Sequence, residues 1–419
     1  MKTIRNYRWR IVAFLFFATT INYIDRQILG ILAPTLQKEL GWSETDYSLI
    51  VMAFQGAYAI GLVSMGGVLD RIGTRIGYAL AMILWSLASM IHAAGRGFIS
   101  FGIFRFFFGI GQSANFPAAI KTVAEWFPKR ERALATGIFN SGSNVGAIIT
   151  PLIVPWIVFR WNWQIAFLST GALGFVWLIA WWFFYKTPDK SKHLSIDEKE
   201  YINQDQEESE IKIAWLKIIP HKQTLGICLA RFLTDPIWWF FLFWLPLFLD
   251  NKFNIDLQYI GLPLIIIYSV SIVGSITGGW ISSFQIKKGI SPVRSRKTTI
   301  FMMALMVIPI FFASITDYQW VAIGLISMGT FAHQGFAANI FTIVSDIYPK
   351  NAVGSMTGLA GFCGAIGGFI FAPIIGLILK YTGNYYIIFV IASCSYMLCW
   401  LSLIIFVPDK KLIIKKSKL

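Results

Sequence analysis

The chain has 419 residues, of which 56% are hydrophobic and 14% are charged. Soluble domains carry nearer a quarter of charged residues, so this composition indicates a membrane protein with many spans and excludes an ordinary soluble domain. The net charge is +15, but the basic residues lie in short clusters between apolar runs. Such clusters are typical of the cytoplasmic ends of membrane helices, and we expect no nucleic-acid partner.

Apolar runs of about 20 residues each predict twelve membrane helices. The predicted spans are 9–33, 47–69, 77–95, 98–125, 133–157, 164–185, 223–249, 258–281, 299–315, 320–347, 353–379 and 385–407. Most lysines and arginines lie at both termini and in the connections after even-numbered spans, which places both termini in the cytoplasm. The predicted fold class is therefore an all-α membrane protein.

A polar, acidic connection at residues 187–222 divides the spans into two sets of six. We predict an N-terminal six-helix bundle at 1–186, a cytoplasmic linker at 187–222, a C-terminal six-helix bundle at 223–408 and a basic cytoplasmic tail at 409–419. Within the linker, Ser195 and Glu198 have the spacing of a capping box for a short surface helix.

The two halves repeat in sequence. Residues 123–129 (VAEWFPK) resemble residues 344–350 (VSDIYPK) at an offset of 221 residues (344 − 123). Two six-helix units in the same orientation are typical of secondary transporters, which bind their substrate between the halves.

The first predicted span places a carboxylate and a guanidinium group side by side, at Asp25 and Arg26. Each charge would cost about 3 kcal/mol if uncompensated at mid-membrane, so the pair must face the bundle interior or a watery cavity. It is either a salt bridge that fixes packing or an anion site beside a coupling carboxylate. Tyr23 shares a helix face with Arg26, and Tyr58 in the second span can add a hydroxyl group. Together these side chains suit a small hydroxylated acid.

The loop after the second span has the pattern G-x-x-x-D-R-x-G-x-R. Its residues are Gly66, Asp70, Arg71, Gly73 and Arg75. The glycines allow a tight turn, and the charges can form a cytoplasmic network that locks and releases the halves. The pattern resembles the signature loop of the major facilitator superfamily, which has a gating role.

The fourth span contains Arg105 and Gln112, which are seven residues apart and so share one helix face. An arginine in so apolar a segment needs a partner, and Asp25 is the natural candidate. Asn115 follows on the same span as a further polar candidate.

The seventh and tenth spans carry the candidates of the second half. Arg231 and Asp235 are one turn apart, which suits either a local ion pair or a gate at the proline that follows. The remaining candidates for substrate contact, each of which can equally serve packing, are Trp238, Trp239, His333, Gln334 and Asn339.

Several motifs resemble the hexuronate transporters of the anion:cation symporter branch of the major facilitator superfamily. They are residues 22–26 (NYIDR), 111–117 (GQSANFP), 125–132 (EWFPKRER), 234–238 (TDPIW), 280–283 (WISS), 332–334 (AHQ) and 345–349 (SDIYP). The resemblance runs over the whole chain. It implies uptake of glucuronate or galacturonate by alternating access in a multi-pass protein of the bacterial inner membrane, driven by a cation that is usually the proton, with Na⁺ as the alternative.

The resemblance also implies roles for individual residues. Arg26 corresponds to the arginine that grips the substrate carboxylate, and Asp25 to a protonatable coupling residue. Tyr23 and Tyr58 correspond to substrate-contacting tyrosines, and Arg105 to the basic partner in the fourth span.

One position departs from this family. Gln112 stands where the family usually has a glutamate that shuttles protons with the aspartate. Because an amide cannot change charge, either Asp25 couples alone, or Asp235 contributes, or coupling is altered or lost. The alternatives are therefore an uncoupled exchanger, or a carrier of another organic anion such as an aldonate or dicarboxylate.

Other functions fit the sequence less well. A membrane sensor usually carries an extra soluble domain, and the sequence shows neither a metal cluster nor a nucleophile–base motif of the kind an enzyme needs. The four cysteines lie in apolar stretches without metal-ligand spacing. We expect no enzyme activity, no metal and no cofactor beyond the co-transported cation, and a monomeric protein in the lipid bilayer whose partner is an anionic sugar acid.

Overall fold

A computed structural model describes residues 6–191, 193–203, 218–348 and 350–409. The side chains of residues 70, 129, 130, 132, 133, 350 and 351 are outside that description. Two predicted features therefore lie outside the described residues: linker residues 204–217 and the basic tail from residue 410 onward.

The described residues of the first half of the chain form eight helices. They are α1 (Tyr7–Leu40), α2 (Glu44–Ile72), α3 (Thr74–Ile91), α4 (Phe98–Ser113), α5 (Asn115–Trp126), α6 (Lys129–Arg160), α7 (Trp163–Phe184) and α8 (Ile196–Asn203). Short 3₁₀ turns follow α3 at His92–Ala94 and precede α8 at Pro188–Lys190.

The described residues of the second half form seven helices. They are α9 (Lys222–Phe243), α10 (Leu245–Phe253), α11 (Gly261–Lys287), α12 (Pro292–Val307), α13 (Gln319–Ile347), α14 (Lys350–Thr382) and α15 (Tyr386–Phe406). A 3₁₀ segment at Ile308–Ser314 extends α12.

Ten helical stretches in the described residues are long and apolar enough to cross a membrane. The other two predicted spans are also helical. Residues 9–33 lie in α1, which carries Asp25 and Arg26 in its interior, and residues 98–125 are divided between α4 and α5 at Ala114. The chain is thus an all-α, multi-pass membrane protein, and the count of twelve spans stays a prediction.

The described residues form two compact units. The first unit consists of residues 6–42 and 53–203, and the second of residues 43–52 and 218–409. In the first unit α1 packs on α6, and α3 packs on α7. In the second unit α9 packs on α14, and α11 packs on α13.

The helix bounds follow the sequence repeat. α13 begins at Gln319 and ends at Ile347, which lie 221 residues after the start of α4 at Phe98 and the end of α5 at Trp126 (319 − 98 and 347 − 126). One uninterrupted helix of the second unit therefore corresponds to the broken helix α4–α5 of the first.

Equivalent glycines bring equivalent helices together. A Cβ atom on Gly146 of α6 would lie 2.6 Å from the backbone oxygen of Thr20 on α1. A Cβ atom on Gly367 of α14 would lie 2.4 Å from the backbone oxygen of Phe232 on α9. Only glycine permits such close contact, which is a common device for packing membrane helices.

Candidate functional site

The centre of the first unit is the buried guanidinium group of Arg26, which is 2% exposed. Its Nε donates to Oε1 of Gln112 at 2.9 Å, and its Nη2 donates to Oδ1 of Asn22 at 3.0 Å. Gln112 also donates from Nε2 to the backbone oxygen of Asn22 at 2.7 Å. The amide of Gln112 thereby fixes both the helix backbone and the orientation of the arginine.

Aromatic rings surround the same guanidinium group. Its central carbon lies 4.8 Å from the ring centre of Tyr23, 4.9 Å from that of Tyr58 and 5.5 Å from that of Phe54. Contacts of this kind favour a cation in a place that water reaches poorly. The structure therefore brings together Tyr23, Arg26, Tyr58 and Gln112, four of the residues singled out from the sequence.

Asp25 is fully buried and lies on a different side of α1 from Arg26. The hydroxyl group of Ser89 on α3 donates to Oδ1 of Asp25 at 3.2 Å. The hydroxyl group of Thr170 on α7 and the charge of Arg105 on α4 also act on this carboxylate. Asp25 thus lies within reach of hydroxyl groups on α3 and α7 and of the charge of Arg105 on α4.

Two further candidates of the first unit are engaged in packing contacts. The Arg105 guanidinium carbon lies 4.8 Å from the ring centre of Phe108. Asn115 accepts a hydrogen bond from the Tyr78 hydroxyl at 2.5 Å and donates to the Thr19 hydroxyl at 3.3 Å. These bonds tie α5 to α3 and α1, and a substrate role for Asn115 stays a prediction.

The second unit contains an ion pair on α9 whose side chains are 15% and 12% exposed. Nη2 of Arg231 donates to Oδ2 of Asp235 at 2.8 Å, one helical turn apart. The Arg231 guanidinium group also lies over the ring of Phe341 on α13, 4.4 Å from its centre. The structure thus forms the local ion pair that the spacing allowed.

Trp238 lies flat on His333 in the second unit. The two ring centres are 4.9 Å apart and the ring planes differ by 3°. Nδ1 of His333 forms a 2.5 Å hydrogen bond with the hydroxyl group of Tyr396 on α15. The neighbouring Trp239 instead stacks on Phe243 of its own helix, with ring centres 5.9 Å apart.

The remaining candidates on α13 have different surroundings. Gln334 is half-buried. Asn339 is fully buried and donates from Nδ2 to the backbone oxygens of Gly278 at 3.0 Å and of Gly335 at 2.8 Å. Asn339 therefore bridges α11 and α13, on a different face of α13 from His333.

The loop between α2 and α3 contains the glycine- and arginine-rich motif. Gly73 has φ +80°, a left-handed conformation that favours glycine. Arg75 donates to the backbone oxygen of Trp182 at 2.6 Å and lies 4.7 Å from the centre of its indole ring. Arg71 is exposed, and the side chain of Asp70 lies outside the described residues. A gating role for Gly66 and its partners in the motif stays a prediction.

A charge cluster at the start of α1 was not anticipated from the sequence. The buried carboxylate of Glu198 on α8 accepts hydrogen bonds from the backbone amides of Tyr7 at 3.0 Å and Arg8 at 3.2 Å. Arg8 also pairs with Glu198 and with Glu131 of α6, both at 2.9 Å. Half of the predicted capping box forms, since Ser195 Oγ accepts from the Glu198 amide at 3.2 Å. The Glu198 carboxylate caps α1 rather than its own helix, and so secures the linker helix to the first unit.

Sequence reasoning also missed Ser89, Thr170 and Tyr396, because single hydroxyl groups in apolar helices have no local signature. No group of three or more histidine, cysteine or acidic side chains within the described residues could hold a metal ion.

Comparison with known proteins identifies relatives over most of the chain. The family model of the Major Facilitator Superfamily matches residues 15–372, and residues 294–418 in a second match. The hexuronate transporter of Escherichia coli (strain K12) is 34% identical over 382 residues, which cover 90% of this chain and 88% of that protein. The galacturonate transporter of Dickeya chrysanthemi is 36% identical over 315 residues, which cover 74% of this chain and 91% of that protein.

The fold also resembles that of solved transporters. The crystal structure of a D-xylose–proton symporter superimposes with a TM-score of 0.77, covering 97% of this chain and 100% of that chain. The sequence identity is 16%, so this likeness concerns the fold alone.

Proposed function

Because this chain belongs to the Major Facilitator Superfamily, a family of transport proteins rather than enzymes, we propose that it imports a hexuronate together with protons. The proposed substrates are glucuronate and galacturonate, and the proposed site of action is the bacterial inner membrane. The relatives named as hexuronate and galacturonate transporters support this substrate class.

The observation that carries the proposal is the setting of the Arg26 guanidinium group. A sugar acid offers a planar carboxylate, which matches the fork of an arginine, and several hydroxyl groups, which amides can bind. The amides of Asn22 and Gln112 already contact Arg26, and the tyrosine rings at 4.8 Å and 4.9 Å provide flat surfaces for sugar carbons. In the proposal, the substrate carboxylate displaces an amide oxygen of Asn22 or Gln112 and accepts hydrogen bonds from the Arg26 guanidinium group.

Asp25 is the proposed carrier of the co-transported proton. When ionised, its carboxylate is attracted by Arg105 and accepts the hydrogen bond from Ser89. When protonated, it loses that attraction. We infer that the protonated, substrate-bound network of Asp25, Arg26 and Arg105 permits alternating access, while the ion-paired empty state resists it. Na⁺ is the alternative coupling cation.

A second candidate function follows from Gln112, whose amide cannot gain or lose charge beside Arg26. Without a second carboxylate next to the arginine, the carrier would exchange uronates across the membrane but would not accumulate them. Asp235, paired with Arg231, is the other carboxylate that could restore coupling. Another organic anion, such as an aldonate or a dicarboxylate, would use the same guanidinium fork.

The test is counterflow in proteoliposomes that contain the purified protein and an excess of unlabelled sugar acid inside. Labelled glucuronate and galacturonate should enter and exchange, whereas succinate should not. Exchange of galactonate or succinate without exchange of either uronate would show that the substrate is an aldonate or a dicarboxylate instead. Absence of exchange for every anion would contradict the proposal.

A further inference from the structure

His92 is a fully buried histidine in the 3₁₀ turn that follows α3. Its Nδ1 lies 2.5 Å from the backbone oxygen of Ala88. Because a carbonyl oxygen can only accept, Nδ1 carries the hydrogen of the neutral ring, and Nε2 is the acceptor. Among the described residues Nε2 has no hydrogen-bond partner. A buried acceptor of this kind costs free energy unless a donor reaches it.

The imidazole ring of His92 packs against the face of α4 that carries Arg105. Phe101, Phe104 and Phe108 meet the ring edge-on, with ring centres 5.2 Å, 5.6 Å and 6.2 Å away. Positions three and four residues apart share a helix face, so Arg105 lies on the same face as these three rings. Its guanidinium carbon is 4.8 Å from the ring centre of Phe108, and its charge acts on His92. Arg105 is therefore a cationic donor on the helix face that His92 contacts.

Asp25 and His92 lie against successive turns of the same neighbouring helices. On α3, Ser89 donates to Asp25, and His92 follows three residues later. On α7, Thr170 acts on Asp25, and Phe167, three residues earlier, stacks on His92 with ring centres 5.0 Å apart. The carboxyl group and the imidazole are thus separated by about one helical turn.

The charge of Arg105 acts on both of these groups. Ionised Asp25 attracts the guanidinium group, and that attraction is lost when the carboxylate takes up a proton. A buried cation that loses its partner is costly, so the protonated state needs another acceptor for it. A hydrogen bond from a charged donor to a neutral nitrogen is of the strong, charge-assisted kind. Nε2 of His92 can supply that bond.

We propose that His92 is a positioning residue for proton coupling, whose Nε2 receives the Arg105 guanidinium group while Asp25 is protonated. The inference rests on the proposed proton transport by Asp25. The proton stays on Asp25 and His92 stays neutral, and only the guanidinium group moves from one acceptor to the other. By giving the cation a partner, His92 stabilises the protonated carrier.

The first experiment measures counterflow of galacturonate over a series of pH values, with the same pH inside and outside. Exchange requires the protonated carrier, so its rate falls as the pH rises. His92→Phe keeps a ring that can stack on Phe167 but removes the acceptor. The pH of half-maximal exchange should therefore move about one pH unit toward acid, which corresponds to one charge-assisted hydrogen bond. The maximal rate at low pH should stay close to that of wild type.

Two further variants separate the acceptor from its packing. His92→Gln retains both an amide donor and an acceptor oxygen, and should restore the wild-type pH profile. Phe104→Leu is the matched control, since Phe104 meets the same imidazole and its loss leaves Nε2 intact. This control should keep the wild-type pH of half-maximal exchange. A merely structural role for His92 would lower the rate at every pH without moving that midpoint.

A second measurement detects the contact without transport. In protein with ¹⁵N-labelled histidine, the Nε2 signal of His92 reports whether that atom accepts a hydrogen bond, and replacements of the four histidines assign it. Asp25→Asn imitates the protonated carboxyl group. In this variant the Nε2 signal of His92 should move toward the hydrogen-bonded value, relative to wild type at neutral pH. An unchanged signal would overturn the inference.

An unchanged pH of half-maximal exchange in His92→Phe, with exchange intact, would also overturn the inference and leave the proposed transport standing. A shift in His92→Gln as large as that in His92→Phe would do the same. If the wild-type protein exchanges no hexuronate, the proposed function falls. The Nε2 signal then still decides whether Arg105 turns to His92 when residue 25 is neutral.

Discussion

The replacement Arg26→Lys tests the proposed carboxylate site while keeping the charge. Arginine donates from Nε and Nη2 to two acceptors at 2.9 Å and 3.0 Å, in a planar arrangement that suits a carboxylate. A lysine is a single point charge and cannot reproduce the two parallel bonds. Loss of one charge-assisted hydrogen bond costs about 2 kcal/mol, so the concentration of galacturonate for half-maximal counterflow should rise about thirtyfold.

The assay for Arg26→Lys is counterflow at a series of galacturonate concentrations. Arg96→Lys is the matched control, since Arg96 is exposed in the loop before α4 and should behave as wild type. A half-maximal concentration for Arg26→Lys within about twofold of wild type would refute the bidentate site, because that range is much smaller than one lost charge-assisted bond.

Three further predictions concern helix packing and coupling. Glu198→Ala leaves the buried Arg8 without one of its partners and should lower the free energy of unfolding by about 3 kcal/mol, as measured by thermal melting in detergent. The control Glu200→Ala, on the exposed side of α8, should have little effect. Gly278→Ala would place a Cβ atom 2.4 Å from the α13 backbone and should lower the free energy of unfolding by about 2 kcal/mol in the same assay. The Cβ atom of the control Gly279→Ala would have no atom within 4 Å, so an equal loss of stability there would contradict the packing explanation. Gln112→Glu adds a group that can hold a proton beside Arg26, so accumulation of galacturonate driven by the proton gradient should increase by up to about tenfold per pH unit. Unchanged accumulation would show that this position does not control coupling.

Much of the fold follows from simple sequence signals. Long apolar runs predicted the positions of the membrane helices, and the 221-residue repeat predicted which helix of one half corresponds to which helix of the other (344 − 123). The break in the fourth predicted span at Ala114 was not predicted, because residues 98–125 form one long, mostly apolar run whose single proline, Pro117, lies after the break.

The candidate site was predicted in part. Charged residues in apolar helices stand out because they are costly there, which identified Asp25, Arg26 and Arg105. The hydrogen bond from Arg26 to Gln112 joins residues 86 positions apart, and no local pattern indicates it.

Some polar residues were harder to interpret from the sequence. Asn115 and Asn339 each bind backbone or side-chain groups between helices. A single polar residue does not reveal which helix face packs and which face borders a ligand. The Arg8–Glu198 contact likewise joins residues 190 positions apart.

The most direct test of the central claim is uptake of labelled galacturonate into proteoliposomes with and without an inward proton gradient, for wild type and Asp25→Asn. The account predicts that the gradient drives accumulation by the wild-type protein. It also predicts that Asp25→Asn still exchanges galacturonate but no longer responds to the gradient. Gradient-driven accumulation that is unchanged in Asp25→Asn would contradict the assignment of Asp25 as the proton carrier.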